Sequence, residues 1–149
     1  MINIQRYREM VLELKERINA ASDTKIDGAV IAVSEKHLVK KLKDSTGLML
    51  CSNYPDATSQ GNEDNYRDLN SVLFFLIEKV PSGQETDEDE LLHYARIQQV
   101  MQLLKAELRR MDFLCGEVQG AGSMTTEWEY DVYGGWNGMS IGLKLEDYD

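Results

Sequence analysis

A long capped helix set between two pairs of strand-like segments constrains this chain more than any other feature. Thr86 opens the helix, Asp87, Glu88, Asp89 and Glu90 fill its first turn, and Arg109 and Arg110 close it. The acids complement the positive end of the helix dipole and the arginines complement its negative end. Tyr94, Ile97, Met101, Leu104, Leu108 and Met111 recur at steps of three and four, and Leu92, Val100 and Leu103 widen the stripe. A stripe of that kind has to be buried against something, and the neighbouring strands are the natural surface for it.

The flanking segments have their own periodicities. Before the helix, Leu48 to Tyr54 reads as a strand stopped by Pro55. Ser71 to Val80 reads as a stronger one. Its run Val72-Leu73-Phe74-Phe75-Leu76-Ile77 has no polar alternation, which predicts a central strand covered on both faces. After the helix, Trp128, Tyr130 and Val132 alternate with Glu127, Glu129 and Asp131. Met139, Ile141, Leu143 and Leu145 then alternate with Ser140, Lys144 and Glu146. Gly134, Gly135 and Gly138 around Trp136 join the two as a hairpin, and a wet face predicts antiparallel pairing.

Towards the N-terminus, Ile4, Tyr7, Val11, Leu14 and Ile18 place one apolar face on a helix from about Asn3 to Ala20. Ala29 to Val33 is a short β-branched run. Ser34 caps a helix through about Lys43 with Leu38, Val39 and Leu42 inward. Pro55 to Asn70 is polar and far longer than a hairpin loop, so it is expected as a long connection. The chain is therefore expected to be one α+β domain over residues 1–149. Its parts are a mainly antiparallel sheet of four to five strands, a long helix at about 86–112, and the N-terminal helix packed on that helix.

Charge narrows the function. Residues 1–46 carry nine Lys/Arg against seven Asp/Glu, while residues 47–149 carry seven against nineteen. A net charge of −10 argues against a general nucleic-acid binder, which needs concentrated positive charge. Lys36, Lys40, Lys41 and Lys43 read as a solvated helix face, with an anion or partner patch as the alternative. No run approaches the roughly 18 apolar residues of a membrane span, and no apolar leader opens the chain, so a cytoplasmic protein is expected. Cys51 and Cys115 sit among apolar neighbours and read as buried free thiols.

Searches for chemistry find little. His37 and His93 lack any context of activation and read as surface histidines. GxSxG, Walker and GxGxxG motifs are absent. Asp56 to Gly61 resembles the start of a calcium loop, but its twelfth position is Arg67 where a bidentate Glu is needed. Glu63, Asp64 and Asp68 are the remaining metal candidates. Neither a cofactor nor a catalytic residue is expected.

Lengths point to an interface. A helix from Asp87 to Met111 reaches roughly 37 Å, whereas an expected strand of about nine residues covers about 30 Å. One helix end is thus expected to overhang the sheet, to be covered by the N-terminal helix, by Phe113-Leu114, or by another subunit. Leu108 and Met111 at that end, and Trp136 in the glycine-rich loop, are the candidate interface residues, with Trp136 folded back on the core as the alternative.

In its order of elements the chain resembles the small tail-completion or tail-terminator proteins of bacteriophages and prophages. The residues behind this are Asn70-Ser71-Val72-Leu73-Phe74-Phe75, the helix beginning Thr86-Asp87-Glu88-Asp89-Glu90, and Gly138-Met139-Ser140-Ile141-Gly142-Leu143. The resemblance implies a non-enzymatic subunit that forms a ring and contacts neighbouring tail or head proteins, virion-associated if phage-derived. It carries over no catalytic residue. The alternatives are a small enzyme or metal-dependent accessory protein using the 55–70 segment as a lid, and a general ligand- or peptide-binding domain.

Overall fold

The computed structural model describes residues 1–80, 85–110 and 124–148. Along the chain run α1 (Ile4–Ala21), β1 (Gly28–Ala32), α2 (Glu35–Leu42), β2 (Leu48–Asn53), β3 (Asp56–Asn62), β4 (Asn65–Lys79), α3 (Asp87–Arg110), β5 (Thr125–Val132) and β6 (Trp136–Tyr148). The fold is α+β. Six strands form one sheet in the order β1-β2-β4-β6-β5, with β3 also paired to β4. Only β1 and β2 run parallel, joined through α2; every other pairing is antiparallel.

The starts of α1 and α3 use the caps that their sequences offer. Asn3 Oδ1 accepts from Gln5 N at 3.0 Å and Arg6 N at 3.1 Å. At α3, Asp89 N donates to Thr86 Oγ1 at 3.2 Å while Thr86 N points back to Asp89 Oδ2 at 3.5 Å, a reciprocal cap that satisfies orphan amides.

The alternation of β4 divides the interior into two cores. Phe74 and Leu76 face α1 and α3, where they meet Tyr7, Leu14, Ile97, Leu104, Ile141 and Leu143. Phe75 and Ile77 face the other way, towards Leu38 and Leu42 of α2. A strand with apolar residues at successive positions is stable only between two covered faces, and β4 has both. Val39, expected inward on α2, is exposed, as is Leu92 on α3. Each of these helices spends its narrow buried stripe on other residues: Leu38 and Leu42 on α2, and His93, Ile97, Val100, Met101, Leu104 and Leu108 on α3.

The long polar connection is instead β structure. Asp56–Asn62 and the first residues of β4 pair in strict register from Asp56↔Ser71 to Asn62↔Asn65. Asn62 Oδ1 closes the turn by accepting from Asp64 N at 3.2 Å and Asn65 N at 2.9 Å. Gly61 has φ +112°, and a Cβ there would stand 1.8 Å from Asn65 O, so this position needs glycine. The consequence for shape is large. At 15 residues, β4 extends about 50 Å, whereas the 24 residues of α3 reach about 36 Å. The strand outruns the helix in length, and Leu108, at the helix end expected to overhang, is buried in the α1–α3 core.

A second departure lies at the β5–β6 hairpin. The register shifts between Glu129 and Val132, and Asp131 adopts φ 51°. This bulge turns the strand over. Trp128, opposite Met139, lies on the α3 side. Val132, opposite Trp136, packs with the α2-side core. The single alternation expected through Trp128, Tyr130 and Val132 is therefore broken.

Candidate functional site

The candidate interface residues are placed as follows. Trp136 is 1% exposed and packs beside Ile77, Phe75 and Cys51, so the glycine-rich hairpin folds it back onto the core rather than presenting it to a partner. Leu108 is buried against the α1–α3 core. Trp136 follows the alternation of β6 into the α2-side core, and Leu108 is covered where α1 packs on α3. Met111, with Phe113, Leu114 and Cys115, lies outside the described residues.

One polar cluster joins β4 to α3. Glu78 Oε2 accepts from Arg96 Nη2 at 2.8 Å and lies 3.4 Å from His93 Nδ1. His93 is 7% exposed, not a surface residue, and its Nε2 is buried without a hydrogen-bond partner. Glu78 and Arg96 also line a cavity of ≈ 340 Å³ with Thr24, Lys25, Asp27 and Leu48. Two of these charges already serve the backbone. Lys25 Nζ donates to Asn19 O and Ser22 O at 2.6 Å each, and Asp27 Oδ2 accepts from Leu48 N at 3.0 Å. His37 is on α2, across the sheet from His93, and accepts from Val33 N at 3.1 Å. The two histidines therefore do not act together.

Asp68, one of the metal candidates, is engaged by the protein itself. The chain's amino group at Met1 and Ser59 Oγ both donate to its carboxylate, the latter at 2.7 Å, and these bonds hold it below the usual carboxylate range. Among the described residues no three His, Cys, Asp or Glu side chains are grouped to hold a metal. None of the described helices is long and apolar enough to cross a membrane. Cys51 is a free thiol that burial pushes up to about 12, away from the reactive thiolate.

The feature that sequence reasoning missed is an exposed aromatic surface where α3 meets the edge strand β5. Trp128 is 56% exposed, Tyr130 72% and Leu91 69%. Tyr94 anchors the group: its ring meets Trp128 edge-on at 5.8 Å between centroids, and its hydroxyl donates to Glu129 O at 2.8 Å. Burial first, then the nearby Glu90, Tyr130 and Glu85, raise the Tyr94 pKa, so the surroundings of the ring are acidic. Glu127-Trp128-Glu129-Tyr130-Asp131, acids alternating with aromatics next to an acidic helix start, is the sequence signal that could have found it.

Comparison with known proteins finds no family model and no curated protein that matches this chain.

Proposed function

We propose that this protein is a non-enzymatic assembly subunit that acts through protein–protein contacts, of the kind its resemblance to tail-completion proteins implies. One observation carries the reading: Trp128 and Tyr130 lie exposed on β5, whose outer edge is unpaired among the described residues, with exposed Leu91 one helical turn before Tyr94, and aromatic residues clustered at a surface are characteristic anchors of interfaces. Burying them against a partner removes apolar area from water. On this reading the 55–70 hairpin is a rigid extension of the sheet that carries no lid function. The protein works in the cytoplasm or within a virion, with itself and other proteins as partners, and without nucleic acid or membrane. Native mass spectrometry tests it. A closed assembly gives one discrete multiple of the chain mass, and a monomer at every concentration refutes self-assembly.

A second reading, a small-ligand-binding domain, is supported by the ≈ 340 Å³ cavity lined by Glu78 and Arg96, with Glu78 lying 3.4 Å from Nδ1 of the buried His93. It requires that Glu78→Gln abolish thermal stabilisation by a ligand found in a small-molecule screen.

A further inference from the structure

The acidic aromatic surface implies a cationic partner, and the chain carries a surface of that chemistry. An indole or phenol face attracts an ammonium group, and the attraction grows when carboxylates stand nearby. Trp128, Tyr130 and Tyr94, beside Glu85 and Glu90, form such a receptor. On α2, Lys36, Val39, Lys40 and Lys43 recur at helical spacing and are all exposed, while Leu38 and Leu42 face inward. Lys41 is turned away from this stripe and donates to Ile31 O at 2.7 Å. Each surface combines charge with exposed apolar area: three lysines around Val39 on one, two glutamates around Leu91 and the aromatics on the other.

The two surfaces cannot meet within one molecule. α2 packs on one face of the sheet, with Phe75 and Ile77 beneath it, whereas Trp128 and Tyr94 lie on the α3 side. A surface that fits its complement only on another copy makes a heterologous contact, which propagates head to tail and closes into a ring where the rotation permits. We propose that the Lys36–Val39–Lys40–Lys43 stripe of one copy docks on the Leu91–Tyr94–Trp128–Tyr130 surface of a second copy, with Glu85 and Glu90 as its counter-charges. This rests on the assembly reading above and specifies its contact. Screening by salt weakens the association, because the charges form the rim of the contact.

A charge-swap mixture tests the contact. One variant carries Lys36→Glu, Lys40→Glu and Lys43→Glu; the other carries Glu85→Lys and Glu90→Lys. Circular dichroism and thermal melts establish that each is folded. Each variant alone is expected to lose self-association at least tenfold by sedimentation. Mixed in equal amounts they are expected to recover it, because the acidic stripe of the first then meets the basic surface of the second. Trp128→Ala, which removes an exposed side chain, is expected to weaken association with native folding retained, and serves where a charge variant fails to fold. Undiminished association in both charge variants, or in Trp128→Ala, overturns this contact and leaves the assembly reading standing. Recovery absent from a mixture of two folded variants also overturns it. A wild-type chain that stays monomeric removes both this contact and self-assembly, and leaves assembly with other proteins.

Discussion

Trp128 and Val132 stand four residues apart on one strand and yet occupy opposite sides of the sheet. An even separation keeps side chains on one face of a regular strand, so the inversion measures the bulge at Asp131 directly. Its effect is to divide two aromatic residues of similar appearance in sequence. Trp136, beyond the bulge, enters the α2-side core, and Trp128, before it, remains against Tyr94 at the surface.

That division predicts unequal costs for the two tryptophans. Trp136→Ala opens a cavity in a packed core and is expected to destabilise the fold by about 3–5 kcal/mol. Trp128→Ala removes a largely exposed ring and one edge-on contact, and is expected to cost about 1 kcal/mol or less. Urea denaturation of both variants checks this, and equal losses would contradict the placement of the bulge.

Tyr7 and Ser52 make the most buried polar contact between α1 and the sheet. Their oxygens are 2.5 Å apart, and Ser52 Oγ also donates to Leu73 O at 3.0 Å, so the phenol donates to Ser52. Burial keeps the Tyr7 phenol strongly protonated, with the Ser52 hydrogen bond partly offsetting the rise. Tyr7→Phe is expected to cost about 1 kcal/mol, and Ser52→Ala about 1–3 kcal/mol because it strands a buried hydroxyl. The double variant should lose less than the two single losses together, which a double-mutant cycle measures. Strict additivity would mean that the two hydroxyls are not coupled.

Asp68 links stability to acid. Its folded pKa is depressed by hydrogen bonds from the chain's amino group and Ser59. A depressed carboxyl contributes stability that is present above its unfolded pKa, about 3.9, and is lost as pH falls through the lower folded value. Wild type should therefore exceed Asp68→Asn in stability near about pH 5, with the gap closing below about pH 4. Denaturation midpoints of both proteins across that window measure it, and a gap that persists unchanged to about pH 2 would show that Asp68 is not the titrating group.

Cys51 is buried among Phe75, Ile77 and Trp136 with its pKa raised to about 12 by that burial. Thiol reagents should label it at the rate of unfolding rather than at the rate of a free thiolate. Labelling that is fast in native buffer and unaffected by denaturant would place Cys51 at the surface instead.

Much of this architecture was legible because local signals agreed with one another. The stripe of α1, the cap at Thr86, the unbroken apolar run of β4 and the alternation of β6 each named one element, and the β4 run named a strand covered on both faces. The 55–70 segment was misread because β3 is almost wholly polar and exposed. Its strand conformation comes from pairing with β4 across a tight turn, and a strand exposed along nearly its whole length has no apolar period to read. The Asx turn at Asn62 and the glycine at Gly61 were its only local marks. The interface was placed on Leu108 by a length argument that took β4 as about nine residues, and on Trp136 by its glycine-rich loop; Leu108 is buried where α1 packs on α3, and Trp136 lies in the α2-side core. At β5 the alternation was legible but the bulge was not, since a non-glycine residue at positive φ has no reliable sequence sign.

The central claim is that the chain associates with itself through surfaces of opposite charge. Sedimentation velocity of the wild-type protein, at several concentrations and at two salt levels, tests it most directly. The account predicts a sedimentation coefficient that rises with concentration to a discrete limit in low salt, with the rise shifted to higher concentration in high salt. A single monomeric species at every concentration and both salt levels would contradict it.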